Sequence, residues 1–143
     1  MPSNRRLVLD THVWVWSVEG NLKRLRPAVA REIEAAASDG RLHISAISVW
    51  EVGMLVTRGR LQLARDVGSW IAESRRPPGV RVVPLTSAVA LDASTLPGRP
   101  PADPADCVIA GTARALGALL VTCDRAVLAY GASGHVLTLD ARP

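Results

Sequence analysis

The sequence predicts an α/β fold, a three-layer α/β/α sandwich with a mostly parallel central sheet. Short apolar, β-branched segments alternate along the chain with longer segments of helical periodicity, which is the pattern of consecutive βαβ units. The strand segments are too uniformly apolar for a sheet with one face in water, so we expect helices on both faces. The chain has 143 residues, of which 48% are hydrophobic, and we expect residues 1–143 to form a single domain.

Five segments are predicted to be the strands. Each has four residues and is rich in Leu, Val or Ile, the composition of a buried strand. They are Leu7–Asp10, Leu42–Ser45, Arg81–Pro84, Leu119–Thr122 and Val136–Leu139.

Helices are predicted between these strands. The first begins near Thr11, directly after the first strand, and the second has Pro27 in its first turn, where proline is favoured. The third, "SAISVWEVGMLVTRG", has Ile47, Trp50 and Met54 at helical spacing. Two later segments, "RDVGSWIAESRR" and "DPADCVIAGTARALG", are also amphipathic. The latter should be the longest helix that starts with a clear cap.

Composition and charge favour an anionic partner. The formal net charge is +4, with 17 Lys and Arg residues against 13 Asp and Glu, which is compatible with nucleic-acid binding. Lys23 is the only lysine, so a coding bias toward arginine explains the excess equally well. No apolar run is long enough for a membrane span and no secretory signal is recognisable, so we expect a cytoplasmic protein. Cys107 and Cys123 lack zinc-type spacing and are expected to be small buried side chains.

Five acidic residues stand where a parallel sheet would bring them together. One closes a predicted strand, one lies just past the end of another, two lie in the first turn of the longest helix, and one interrupts an otherwise apolar helix. They are Asp10, Asp124, Asp103, Asp106 and Glu51. Ligands of open α/β sheets bind at the carboxyl ends of the strands, so we expect these carboxylates to converge there.

Two interpretations of these acids are open at this point. Asp10, Asp103 and Asp124 each precede a predicted helix, where aspartate is a favoured cap. Several carboxylates within a few ångströms of each other do not all stay ionised without a cation, and sites made only of oxygen ligands favour Mg²⁺ or Mn²⁺. One or two such ions would activate water for phosphodiester hydrolysis. The hydroxyls of Thr11, Ser48 and Thr122 are expected to orient the water or a carboxylate.

Four stretches of the chain resemble one known family. They are "LVLDTHVWVW", "ISAISVWEVGMLVTRGRLQL", "DPADCVIAGTARALGALLVTCD" and "YGASGHVLTLD". In this order, from about Leu7 to Leu139, they resemble the PIN-domain ribonucleases, and among these the VapC toxins of bacterial toxin–antitoxin pairs.

The resemblance implies a site and a set of partners. It makes Asp10, Glu51, Asp106 and Asp124 the four family acids, with Asp103 as an additional ligand. It implies Mg²⁺ or Mn²⁺ as cofactor, structured RNA such as tRNA or rRNA as substrate, a homodimer, and a cognate VapB-like antitoxin that fills the active-site groove.

The chain departs from the family pattern at three places. Cys107 replaces an arginine found in many relatives, Leu55 replaces a lysine, and the histidine often found before the aspartate pair is absent. These changes remove positive charge near the expected site but no metal ligand.

Other functions are less well supported. A haloacid-dehalogenase-like phosphatase needs a second Asp where His12 stands, and phosphotransfer folds need a late lysine that the chain lacks. A non-catalytic RNA- or partner-binding module of the same fold has no use for four converging carboxylates. His12 is expected to be a helix-surface or packing residue, and the four tryptophans are expected to pack in the core or an interface.

Overall fold

The central sheet has five strands, all parallel. The structure is a computed structural model that describes residues 4–143. The strands are β1 (Leu7–Leu9), β2 (Leu42–Ser45), β3 (Arg81–Val83), β4 (Leu119–Thr122) and β5 (Thr138–Asp140). Their spatial order is β3-β2-β1-β4-β5, and each neighbouring pair is parallel. The predicted fold class is confirmed.

Helices connect the strands. They are α1 (Thr11–Glu19), α2 (Pro27–Ser38), α3 (Ala46–Thr57), α4 (Val67–Ser74), α5 (Ser87–Ser94), α6 (Pro104–Leu116) and α7 (Arg125–Ala132), with a 3₁₀ turn at Leu22–Arg24. Among the described residues, none of these helices combines the length and the apolar character that crossing a membrane requires.

The alternation of side chains along β1 divides the core into two parts. Leu7 and Leu9 are fully buried in one hydrophobic cluster with Trp14 of α1, whereas Val8 is fully buried in a second cluster with Ile109 of α6. Successive strand side chains point to opposite faces, so both faces of the sheet are covered by helices. This is the sandwich that the continuous apolar strands predict.

The predicted strand ends need correction. The last strand is Thr138–Asp140 rather than Val136–Leu139, because Val136 is buried in the core ahead of the strand. The first strand ends at Leu9, since Asp10 caps α1. The third ends before Pro84, which has no N–H for a strand ladder.

The helices differ from the prediction at two places. Helix α5 was not predicted; it has only eight residues and is capped by the Thr86 side chain. On α3 the buried side chains are Ser48 and Val52, whereas Trp50 is 59% exposed. The apolar spacing that includes Trp50 therefore does not mark the buried face of α3.

Close packing of α7 on β5 gives a first testable prediction. A Cβ at Gly131 would lie 3.0 Å from Thr138 Cβ and closer still to both of its γ atoms, so rotation of Thr138 cannot relieve the clash. Gly131→Ala should destabilise the protein by about 1–3 kcal/mol. Gly53→Ala, in helix α3 with open space around it, is the matched control and should stabilise by about 0.5–1 kcal/mol. Urea unfolding of the two variants checks both, and equal effects would contradict the packing argument.

The strand order reverses beside β1. The chain runs outward from β1 to β2 and β3, then returns to place β4 on the other side of β1. In open α/β sheets this switch point forms a crevice at the carboxyl ends of the strands. Asp10 follows β1 and Asp124 follows β4, so the two acids emerge from neighbouring strands at the crevice.

Candidate active site

A cavity of about 300 Å³ opens at this crevice, and all five predicted acids line it. They are Asp10, Glu51, Asp103, Asp106 and Asp124. The rest of the wall is formed by His12, Val13, Trp16 and Cys123. The sheet therefore brings the sequence-predicted acids together, although their catalytic roles stay predictions.

Asp10 is the most buried of the acids, at 9% exposure. Its Oδ1 accepts the Thr11 backbone N–H at 2.8 Å, and its Oδ2 accepts the Thr122 hydroxyl at 2.7 Å. Burial raises the pKa of Asp10, while these two hydrogen bonds oppose the shift. Asp10 caps α1, and the same carboxylate faces the cavity.

Glu51 is held through a pair of buried hydroxyls. The Thr11 hydroxyl donates to Glu51 Oε1 and lies 2.8 Å from the Ser48 hydroxyl. Each hydroxyl has one proton, so Ser48 must donate to Thr11 once Thr11 donates to Glu51. Burial raises the pKa of Glu51, the Thr11 hydrogen bond lowers it, and the charge of Asp10 raises it again.

Asp103 and Asp124 each use one oxygen to cap a helix. Asp103 Oδ1 accepts the N–H of Ala105 at 2.8 Å and of Asp106 at 3.2 Å. Asp124 Oδ1 accepts the N–H of Val127 at 3.0 Å. The capping interpretation is thus correct for both, and it leaves the second oxygen of each carboxylate for other partners.

The pKa of Asp106 is raised well above its ordinary value. This residue lies half-buried in the first turn of α6. Burial, followed by the charges of Asp10, Asp103, Asp124 and Glu51, raises its pKa to about 7. Burial and the four neighbouring carboxylates therefore leave Asp106 about half protonated in neutral solution when no cation is bound.

The donor chemistry of the cavity fits a hard divalent cation. A cation would remove the repulsion that raises the pKa of Asp106, and carboxylate oxygens are the ligands that Mg²⁺ and Mn²⁺ prefer. Within residues 4–143, however, no three acidic, His or Cys side chains form a compact ligand set as they stand. The carboxylates of Asp10, Glu51, Asp103 and Asp124 make the hydrogen bonds described above.

Thr122 links the carboxylates of the two strands, which gives a second prediction. Its fully buried hydroxyl donates to Asp10 and accepts the Asp124 backbone N–H at 2.9 Å. Thr122→Val keeps the shape and leaves both partners unpaired, so we expect a loss of about 1–3 kcal/mol in stability. The sequence predicts Asp10 to be a metal ligand of a nuclease, and on that prediction we expect a 10- to 100-fold loss of activity, roughly the effect of removing a partner of a metal ligand. Thermal melts and cleavage rates measure these effects. Thr122→Ser, which keeps the hydroxyl, should stay close to wild type.

Sequence reasoning did not identify part of the cavity wall. His12 was expected to lie on the helix surface or in packing, and Trp16 was not assigned to the site. Both line the cavity because they are four residues apart on α1 and therefore share one helix face. The four-residue spacing of His12 and Trp16, directly after Asp10, was the feature of the sequence that could have predicted their place in the cavity wall.

Sequence comparison assigns a chain with this fold and cavity to a known family. The chain belongs to the PIN domain family, whose sequence model matches residues 7–132. It is 41% identical to Ribonuclease VapC22 of Mycobacterium tuberculosis over 120 residues, which cover 83% of this chain and 87% of the relative.

Solved structures share the fold at low identity. VapBC2 from Rickettsia felis, bound to a DNA fragment from their promoter, matches with a TM-score of 0.69 and 16% identity, over 94% of this chain and 98% of that chain. FitAcB from Neisseria gonorrhoeae matches with a TM-score of 0.62 and 18% identity, over 94% and 96% of the two chains.

Proposed function

We propose that the protein is an endoribonuclease toxin of the VapC type, which hydrolyses phosphodiester bonds in RNA with Mg²⁺ or Mn²⁺. The observation that carries this proposal is the cluster of five carboxylates in one cavity, in a chain 41% identical to a protein named as a ribonuclease. A non-catalytic binding module has no need of such a cluster, whose mutual repulsion destabilises the fold.

In this mechanism the acids bind the cation and the hydroxyls orient the acids. Asp10, Glu51, Asp106 and Asp124 would hold one or two ions, with Asp103 as an additional ligand. When bound, a divalent cation lowers the pKa of water and neutralises charge at the leaving oxygen. Thr122 holds Asp10 and Thr11 holds Glu51 through their hydroxyls. Both carboxylates are thereby oriented before substrate binds.

A cognate VapB-like antitoxin is part of the same proposal. The structural similarity to toxin–antitoxin complexes such as VapBC2 supports a partner that occludes the cavity. A homodimer, a cytoplasmic location and a structured substrate such as tRNA or rRNA stay predictions from the sequence.

Cleavage of total bacterial RNA tests the proposal. Purified protein is first treated with chelator, and Mg²⁺ or Mn²⁺ is then restored. We expect discrete fragments only after the metal is restored, because water activation depends on the cation. Asp106→Asn prepared in the same way excludes a contaminating nuclease.

The other outcomes separate the alternatives. Metal binding without cleavage of any RNA would contradict broad ribonuclease activity and point to a narrow substrate. Absence of both metal binding and cleavage would overturn the enzyme assignment and favour the binding module.

A further inference from the structure

The acidic cavity lacks a positive side chain for its substrate. Five carboxylates line it, and among the described residues of its wall there is no Arg or Lys. RNA is a polyanion whose affinity for proteins depends largely on phosphate contacts from Lys and Arg. Bound cations neutralise the carboxylates, but the phosphates that flank the scissile one still need a partner outside the wall.

The chain reverses at the end of α1 and brings an arginine to this rim. Gly20, with φ of 70°, adopts the left-handed conformation that closes the helix. The Asn21 N–H then donates to the Trp16 carbonyl at 2.9 Å. The 3₁₀ turn that follows carries Arg24, whose guanidinium carbon lies 5.6 Å from the centroid of the Trp16 ring, within cation–π range.

A second contact places Arg24 beside the cavity. Its carbonyl oxygen lies 3.9 Å from Cys123 Sγ, and Cys123 and Trp16 both line the cavity wall. The Arg24 side chain is therefore held by one wall residue while its backbone contacts another.

Two aromatic rings border the same rim. His12 and Trp16 line the cavity, with ring centroids 5.8 Å apart and planes inclined at 48°. The two rings are too close to each other for a base to insert between them. His12 is exposed, so the pair offers an outer aromatic surface next to the carboxylates. Flat aromatic surfaces bind unpaired bases in proteins that recognise single-stranded RNA.

We propose that His12, Trp16 and Arg24, here called the rim cluster, hold the nucleotide next to the scissile phosphate. Arg24 binds a backbone phosphate, and an unpaired base stacks on the Trp16 ring beside the tilted His12 ring. A base must leave its helix to stack in this way, so duplex RNA should compete poorly for the rim cluster. This inference rests on the proposed ribonuclease function and adds positioning residues to it.

Binding of a labelled RNA tests the rim cluster separately from cleavage. The protein keeps Asp106 and is saturated with Mg²⁺, and the probe is a fluorescein-labelled, mixed-sequence single-stranded oligoribonucleotide with phosphorothioate linkages that resist cleavage. Dissociation constants are measured by fluorescence anisotropy over a range of salt concentrations. Unlabelled single-stranded and duplex RNA of the same sequence and linkages serve as competitors.

Each variant has a distinct expected result. Arg24→Gln should reduce the slope of log affinity against log salt by about 0.7, the change for one phosphate contact to a single strand. Arg31→Gln is the matched control, since Arg31 is exposed on α2 and lies outside the cavity wall, and it should keep the wild-type slope. Trp16→Ala should weaken binding roughly 5- to 150-fold, as for loss of one base–aromatic contact. Trp16→Phe should recover most of that loss.

The outcomes also separate this inference from the proposed function. Equal salt slopes for Arg24→Gln and Arg31→Gln, or wild-type affinity in Trp16→Ala, would overturn the rim cluster. Absence of any binding to the probe, or better competition by duplex, would overturn it too. If metal-dependent cleavage persists in those cases, the ribonuclease proposal stands without the rim cluster. Thermal melts show whether Trp16→Ala is folded, and Arg24→Gln tests the inference even if it is not.

Discussion

Replacing Asp106 by Asn is expected to reduce RNA cleavage by more than about 100-fold, beyond the usual effect of removing an outer partner of a metal ligand. Asp106 lies half-buried between four other carboxylates, and burial together with their charges raises its pKa to about 7. An ionised carboxylate in that position is repelled by its neighbours unless a cation is bound between them. The amide keeps the shape and removes that charge, so the variant should fold and lose the cation.

The same substitution should stabilise the metal-free protein near neutral and alkaline pH, because it removes repulsion within the cavity. Loss of activity with gain of stability is the signature of a functional carboxylate, whereas a structural one loses both. Asp39→Asn is the matched control, since Asp39 is exposed at the end of α2 and pairs with Arg41. Cleavage assays and thermal melts of both variants measure the contrast. Wild-type turnover in Asp106→Asn would show that the ligand assignment is wrong.

The sequence predicts the location of the site because topology alone determines it. Asp10 and Asp124 each follow an apolar strand, and the carboxyl ends of parallel strands meet at one edge. The same logic cannot choose between helix cap and metal ligand, and the structure shows why. Asp103 and Asp124 use one oxygen for the cap and retain another, so the two interpretations were never exclusive.

Other parts of the structure depend on tertiary contacts that leave little trace in the sequence. Helix α5 is short and packs closely on α6, where a Cβ at Gly111 would lie 3.3 Å from the Ala93 side chain. Arg24 reaches Trp16 only because Gly20 reverses the chain. Neither contact can be predicted from hydrophobic periodicity, because periodicity identifies the buried face of one helix and does not identify the helix that packs against it.

The stability of the metal-free protein is expected to fall as the pH rises from about 4 to about 7. Asp106 has a folded-state pKa of about 7 against an ordinary value of 3.8, so in this range the folded state holds a proton that the unfolded state has lost. Stability therefore declines with pH until Asp106 ionises, and it changes no further above that. The pKa values of Asp10 and Glu51 are raised as well, so both residues contribute in the same direction. Burial lowers the pKa of His43, which acts in the opposite direction and makes the decline smaller.

Mg²⁺ should restore the stability that is lost as the pH rises. The effect should be strongest above the pKa of Asp106, where protons no longer compete with Mg²⁺ for the carboxylate. A cation that binds only the folded state at 100 times its dissociation constant adds about 2.7 kcal/mol, or roughly 10 °C in Tm for a chain of this size. We expect that gain near about pH 8 and a much smaller one near about pH 5.5, because protonated Asp106 is a poor ligand.

Differential scanning fluorimetry at constant ionic strength measures both effects, with NaCl in place of MgCl₂ as the control for screening. Asp106→Asn should show a flatter pH profile and little response to Mg²⁺ at either pH. Equal Mg²⁺ shifts at the two pH values would mean that the cation binds away from these carboxylates. A metal-free pH profile that is the same in Asp106→Asn as in the wild type would mean that the repulsion inferred for the cavity is already relieved within the protein.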